Sequence, residues 1–172
     1  MTLSMYQASV PVFLQGLTSL SAILDKAAAQ AAERKIDPSF LVNDRLAPDM
    51  LPFTRQVQIA SDHAKGATAR LAGVEVPKFE DVEKTFDELK HRLAKVVEFV
   101  RGFDAAQIDG SEEREITLPI GGNTMTFSGQ AYLLHFALPN FFFHQTTAYA
   151  ILRHNGIAIG KRDFIGSVPS AA

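Results

Sequence analysis

The five histidines are the residues of this chain with the most chemistry to offer, since an imidazole can hold a metal or move a proton near neutral pH. They fall at His63, His91, His135, His144 and His154. His144 follows Asn140 by four residues, a step that carries a helical wheel round by only about 40°, so the two share a face. His63 sits among Ala60, Ala64 and Ala67, small side chains that leave room for an imidazole inside a bundle. Side chains at that spacing, joined by an imidazole from a neighbouring helix, are how helical bundles build metal sites. A buried His and Asn can equally satisfy each other or a backbone carbonyl with no ligand present. Spacing alone leaves both readings open. The other three fit the site less well. His91 lies roughly 200° round from Leu89 and is expected to face solvent. His154 falls in the last turn of its helix, where positive charge suits the dipole. His135 lies about 180° from His144 on an ideal wheel and reaches the same site only if the helix kinks between them.

Other chemistries find no support. The chain has no cysteine, which excludes disulfides, thiolate nucleophiles and Cys-ligated zinc. It has neither HExxH nor GxSxG. Gly156 to Gly160-Lys161 is one residue short of a phosphate loop, and Arg162 stands where Ser or Thr would hold magnesium. The net charge of −2, without a basic cluster, argues against a nucleic-acid groove or an anionic membrane surface as partner. No basic residue precedes Lys26, and the apolar stretch Ala131–Phe143 is broken by His135, Pro139 and Asn140. The expectation is therefore a cytoplasmic protein without a signal peptide or membrane span.

The elements that must position the histidines follow from apolar spacing. The 172 residues suit one domain spanning 1–172, large enough to bury its own core. Tyr6, Val10, Phe13, Leu17, Leu20 and Leu24 mark a first helix over about 4–35, with Pro11 in an irregular first turn. Asp37-Pro38 reads as a cap and first-turn pair. Phe53, Val57, Ala60, Ala64, Ala67 and Leu71 mark a second helix, from about Pro52 to just before Gly73. The third is expected over about 79–101, with Val82, Phe86, Leu89, Leu93, Val96 and Val100 inward and Glu80, Asp81 and Glu83 at its positive end. Between residues 115 and 127 the pattern alternates about Gly121-Gly122-Asn123, a β-hairpin signal, with Pro119 implying an edge strand. The fourth helix, about 128–154, is expected to be the most buried, through Phe141, Phe142 and Phe143, and to bend near Pro139. A tail without helical period follows from about 157. Three adjacent phenylalanines are hard to bury in one core, so a homodimer is expected.

This order of three helices, a hairpin-bearing connection and a long fourth helix ending in ILRHNG resembles the DinB/YfiT-like superfamily over essentially the whole chain. The most specific segment, LPNFFFHQTTAYAILRHNGIAIGKRDFIG, is similar to a bacterial branch described only as a domain of unknown function. The resemblance implies an all-α four-helix bundle with a short β-hairpin between helices three and four. It also implies a divalent metal, zinc or nickel, held by one His of the second helix and an HxxxH pair of the fourth. His63 matches the first ligand and His144 the last, while Asn140 stands where the pair has its other His. Two imidazoles and an amide oxygen bind such a metal more weakly than three imidazoles. Some relatives are metal-dependent transferases using small thiols. The resemblance thus offers two functions: a metal-dependent transferase or hydrolase acting on a small molecule, or a non-catalytic bundle that has lost a complete metal site.

Overall fold

The computed structural model describes residues 3–168, and its frame is a helical bundle. Helix α1, Met5–Glu33, opens on a capping box in which Ser4 and Gln7 satisfy each other's backbone donors. It runs unbroken through Pro11, which costs one intrahelical hydrogen bond near the start. By length and composition α1 is apolar enough to cross a membrane, but its stripe of Val10, Phe13, Leu17, Leu20 and Leu24 is fully buried in the core. Asp37 caps the short α2, Pro38–Asn43. Helix α3, Phe53–Ala72, stops at Gly73 in the left-handed conformation. Helix α4 covers Phe86–Arg101 and is followed by the single turn α5, Ala105–Ile108.

The third helix starts later than its apolar spacing predicts. Thr85 and Glu88 form the capping box that opens it, and residues 74–84 run as an irregular strap across α3 and α4. Glu80, Asp81 and Glu83 therefore do not line its first turn; Asp87 and Glu88 do. The strap is tied down by Arg92, which is buried and bonds Asp81 at 3.0 Å, Glu83 at 3.2 Å and the Glu80 carbonyl at 3.1 Å. Arg55 holds Asp81 from the other side, and Val82, expected in the core, is exposed.

Strands β1, Glu115–Ile120, and β2, Asn123–Ser128, pair antiparallel with Ile120 opposite Asn123. Gly121 and Gly122 both have positive φ, the requirement of a tight two-residue hairpin turn. Pro119 pairs with Thr124, one step from the closing pair. That position lies between hydrogen-bonded pairs, so the missing donor breaks no ladder bond. The hairpin leads into the fourth helix of the bundle: α6, Gly129–Tyr132, then a π-helical turn, Leu133–Ala137, then α7, Leu138–His154. Pro139 has no N–H for the His135 carbonyl. The irregularity it demands is taken up just before it, where the Leu138 N–H bonds the Leu133 carbonyl.

Two expectations about burial are corrected. The most buried main helix is α3, with thirteen of its twenty residues buried against six of seventeen in α7. Its small side chains let it pack against both α4 and α7. Of the three phenylalanines, Phe141 is fully buried against Phe13, while Phe142 and Phe143 are 38% and 57% exposed. Three consecutive helical positions span too wide an arc for one core to cover. The tail does contain a helix, α8, Lys161–Ile165. It lies on α1 through a Lys26–Asp163 ion pair at 2.6 Å and a bond from the Gln15 amide to the Ile165 carbonyl at 2.9 Å.

Candidate functional site

The facing stripes of α3 and the fourth helix carry the polar residues of interest. On α3, Gln56, His63 and Arg70 recur every seven residues, about two turns, and so form one stripe. On the fourth helix Tyr132, Phe136, Asn140 and His144 recur every four. Steps of four overrun a regular turn by about 40° each, and the wider π-turn at Leu133–Ala137 takes up part of that drift. The helices run antiparallel, so Gln56 meets His144 at one end of the seam and Arg70 meets Tyr132 at the other.

His63 and His144 meet in the middle, their rings stacked with centroids 5.9 Å apart and planes 14° from parallel. Phe136 packs edge-on against His63 at 5.7 Å, and Phe143 against His144 at 5.2 Å. Both histidines are half-buried. Burial lowers the His63 imidazole to about 4, helped by the neighbouring His144 and Arg70 and opposed by Asp62. Burial also lowers His144. Both rings are therefore neutral at pH 7.

The tautomer of His144 is set by its partners. The Gln56 amide nitrogen donates to the Leu51 carbonyl at 2.9 Å, which fixes the amide's orientation. Its oxygen then faces His144 Nδ1 at 2.7 Å. An amide oxygen only accepts, so Nδ1 carries the proton and Nε2 keeps its lone pair. Asn140 bonds its own helix, its Nδ2 donating to the Phe136 carbonyl at 2.7 Å, which leaves Oδ1 as its free acceptor. Asp62, next to His63 in sequence, pairs with Arg92 at 2.9 Å and Lys65 at 2.8 Å on the α4 side.

Of the residues expected from sequence, His63 and His144 are brought together across the bundle, with Asn140 one turn from His144. His135 is exposed and stays outside the site, as do His91 and His154. Among the described residues no group of three or more His, Cys, Asp and Glu side chains is placed to hold a metal ion. Sequence reasoning passed over Gln56, Arg70 and Tyr132. The seven-residue recurrence of Gln56, His63 and Arg70 on a helix of otherwise small and apolar inward positions was the available signal.

The family model for a domain of unknown function, DUF1993, matches residues 5–165. A crystal structure of a DinB family member from Shewanella denitrificans is 41% identical in sequence and agrees with a TM-score of 0.90, over 97% of this chain and 94% of that one. No curated protein matches the chain. The resemblance drawn from the residues and these two likenesses converge, and the chain belongs to the DUF1993 family, a DinB-like domain of unknown function.

Proposed function

We propose that the chain binds a divalent transition metal, zinc or nickel, through His63 and His144, and acts there on a small molecule as a transferase or hydrolase. The observation that carries this reading is the hydrogen-bond chain from the Leu51 carbonyl through Gln56 to His144 Nδ1. A metal-ligating imidazole characteristically donates its other ring N–H to a fixed acceptor, which sets its tautomer and orientation. The protonation state of the pair supports this reading. Burial keeps both rings in the neutral, ligating form. Two imidazoles that share an ion must each turn a ring nitrogen to it, so the stacked rings, with centroids 5.9 Å apart, would rotate from their near-parallel arrangement on binding. The free Oδ1 of Asn140 is a weak additional donor. An ion held by so few protein groups keeps positions open for water or substrate, whose acidity it raises.

The second reading is a non-catalytic bundle with a satisfied polar pair in its core. The packing of Phe136 and Phe143 on the two imidazoles favours it. Elemental analysis of protein purified without a metal-affinity tag, followed by zinc and nickel titration, separates the two. The metal reading expects saturable binding that His63→Ala and His144→Ala each abolish. Asn140→His, which supplies a third imidazole, is expected to tighten it. Binding that is equally tight in the wild type and in both alanine variants overturns the assignment.

A further inference from the structure

Arg70 is treated differently from the other buried or half-buried cations of this bundle. Arg92 and Lys65 are each matched to carboxylates, Arg92 to Asp62, Asp81 and Glu83, and Lys65 to Asp62. Arg70 is also half-buried, yet its one hydrogen bond among the described residues is from Nη1 to the neutral Tyr132 hydroxyl, at 3.2 Å. Burial raises the Tyr132 phenol above its ordinary range, so it offers no compensating charge. A guanidinium presents five donors in a rigid fork, and most of this fork is unused.

Its position is set by what Gly66 lacks. A Cβ at Gly66, one turn before Arg70, would overlap Nη1. Without it the guanidinium folds back along α3 toward His63, the direction in which long helical side chains lean. The seam therefore carries a cation without a carboxylate partner at one end, with Phe136 packed against both Tyr132 and His63 between it and the imidazole pair.

We infer that Arg70 recognises a carboxylate on the small molecule accommodated at the His63–His144 site. The planar fork matches a carboxylate bidentately, the Tyr132 hydroxyl steadies the fork, and the remainder of the molecule lies along Phe136 toward the imidazoles. The inference rests on reading those imidazoles as the functional site, but its test needs no metal. The imidazole resonances of His63 and His144 in metal-free protein are followed by NMR during titration with butyrate and with its neutral analogue butyramide. Saturable shifts are expected with butyrate and none with butyramide. Arg70→Met is expected to weaken the butyrate response about tenfold or more. Gly66→Ala pushes the guanidinium from its place while improving a helix-interior position, and is expected to weaken the response as well. A wild-type response that does not saturate, or equal binding in wild type and both variants, overturns the inference. Failure of metal titration beside an intact butyrate response would remove the metal reading alone; the reverse pattern would remove this one alone.

Discussion

His63 is where packing and charge conflict most directly. In the folded chain its imidazole stays neutral down to about 4, whereas in the unfolded chain it takes up a proton near 6.5. Because the folded value is the lower, the stability this neutral ring contributes is fully present above about 6.5 and is lost as pH falls toward 4, the range in which only the unfolded chain binds the proton. The loss is at most roughly 3–4 kcal/mol. Thermal midpoints are expected to fall between about pH 7 and 4.5, and to fall less in His63→Gln, which cannot titrate. Parallel falls in the two proteins would mean that His63 is not held neutral by the fold. The pairing itself was legible in the sequence, because alanines flank His63 and a four-residue step ties His144 to Asn140. Gln56 was marked only by its seven-residue step to His63, because its value lies in a contact 88 residues away. Arg70 escaped for the same reason, its partner Tyr132 being 62 residues distant.

The site depends on elements that enter the bundle at the right angle, and the fourth helix does so through Gly129. A Cβ there would collide with the backbone carbonyl of Ser111, beside the hydrogen bond from the Gln130 N–H to the Glu112 carbonyl. Gly129→Ala is expected to destabilise by about 1–3 kcal/mol, since backbone must move to admit even a methyl group. Gly66→Ala meets only the end of a flexible side chain. Its gain in helix propensity of about 0.8–1.0 kcal/mol roughly offsets the loss of the Arg70–Tyr132 bond, about 0.5–1.5 kcal/mol. Urea unfolding of the two variants checks the contrast, and equal effects would contradict it. Apolar periodicity located the main helices because burial selects one stripe on each. It misplaced the start of α4 because Phe79 and Val82 continue the spacing, while the chain there is held extended by Arg92 and Arg55. The Thr85-x-x-Glu88 capping signature was in the sequence and marks the true start. The π-turn left no such mark beyond Pro139, which predicts an irregularity without specifying its form.

At the scale of the molecule, one core accounts for most of the apolar residues but not for the outer face of α7. Phe142 and Phe143 remain exposed there, and Phe142 borders an apolar cleft with Val12, Phe164 and Ile165, where α8 lies against α1. Leu134 on the preceding π-turn is 43% exposed as well. Covering large apolar side chains removes them from water at about 25 cal/mol for each Å² buried, and a two-fold pair lets one face serve as its own partner. We therefore expect a homodimer formed through this face of α7. Sedimentation equilibrium should give twice the 18.8 kDa of one chain. Phe143→Glu places a charge at the most exposed of the three phenylalanines and should shift the mass toward the monomer while the helical circular dichroism is unchanged. That separation is available because Phe143 contributes little to the internal core, whereas Phe141 is fully buried and its removal would unsettle the fold itself. A wild-type chain that sediments as a monomer at micromolar concentration would show that solvent tolerates this face, and the seam of His63, His144 and Arg70 would then function within a single chain.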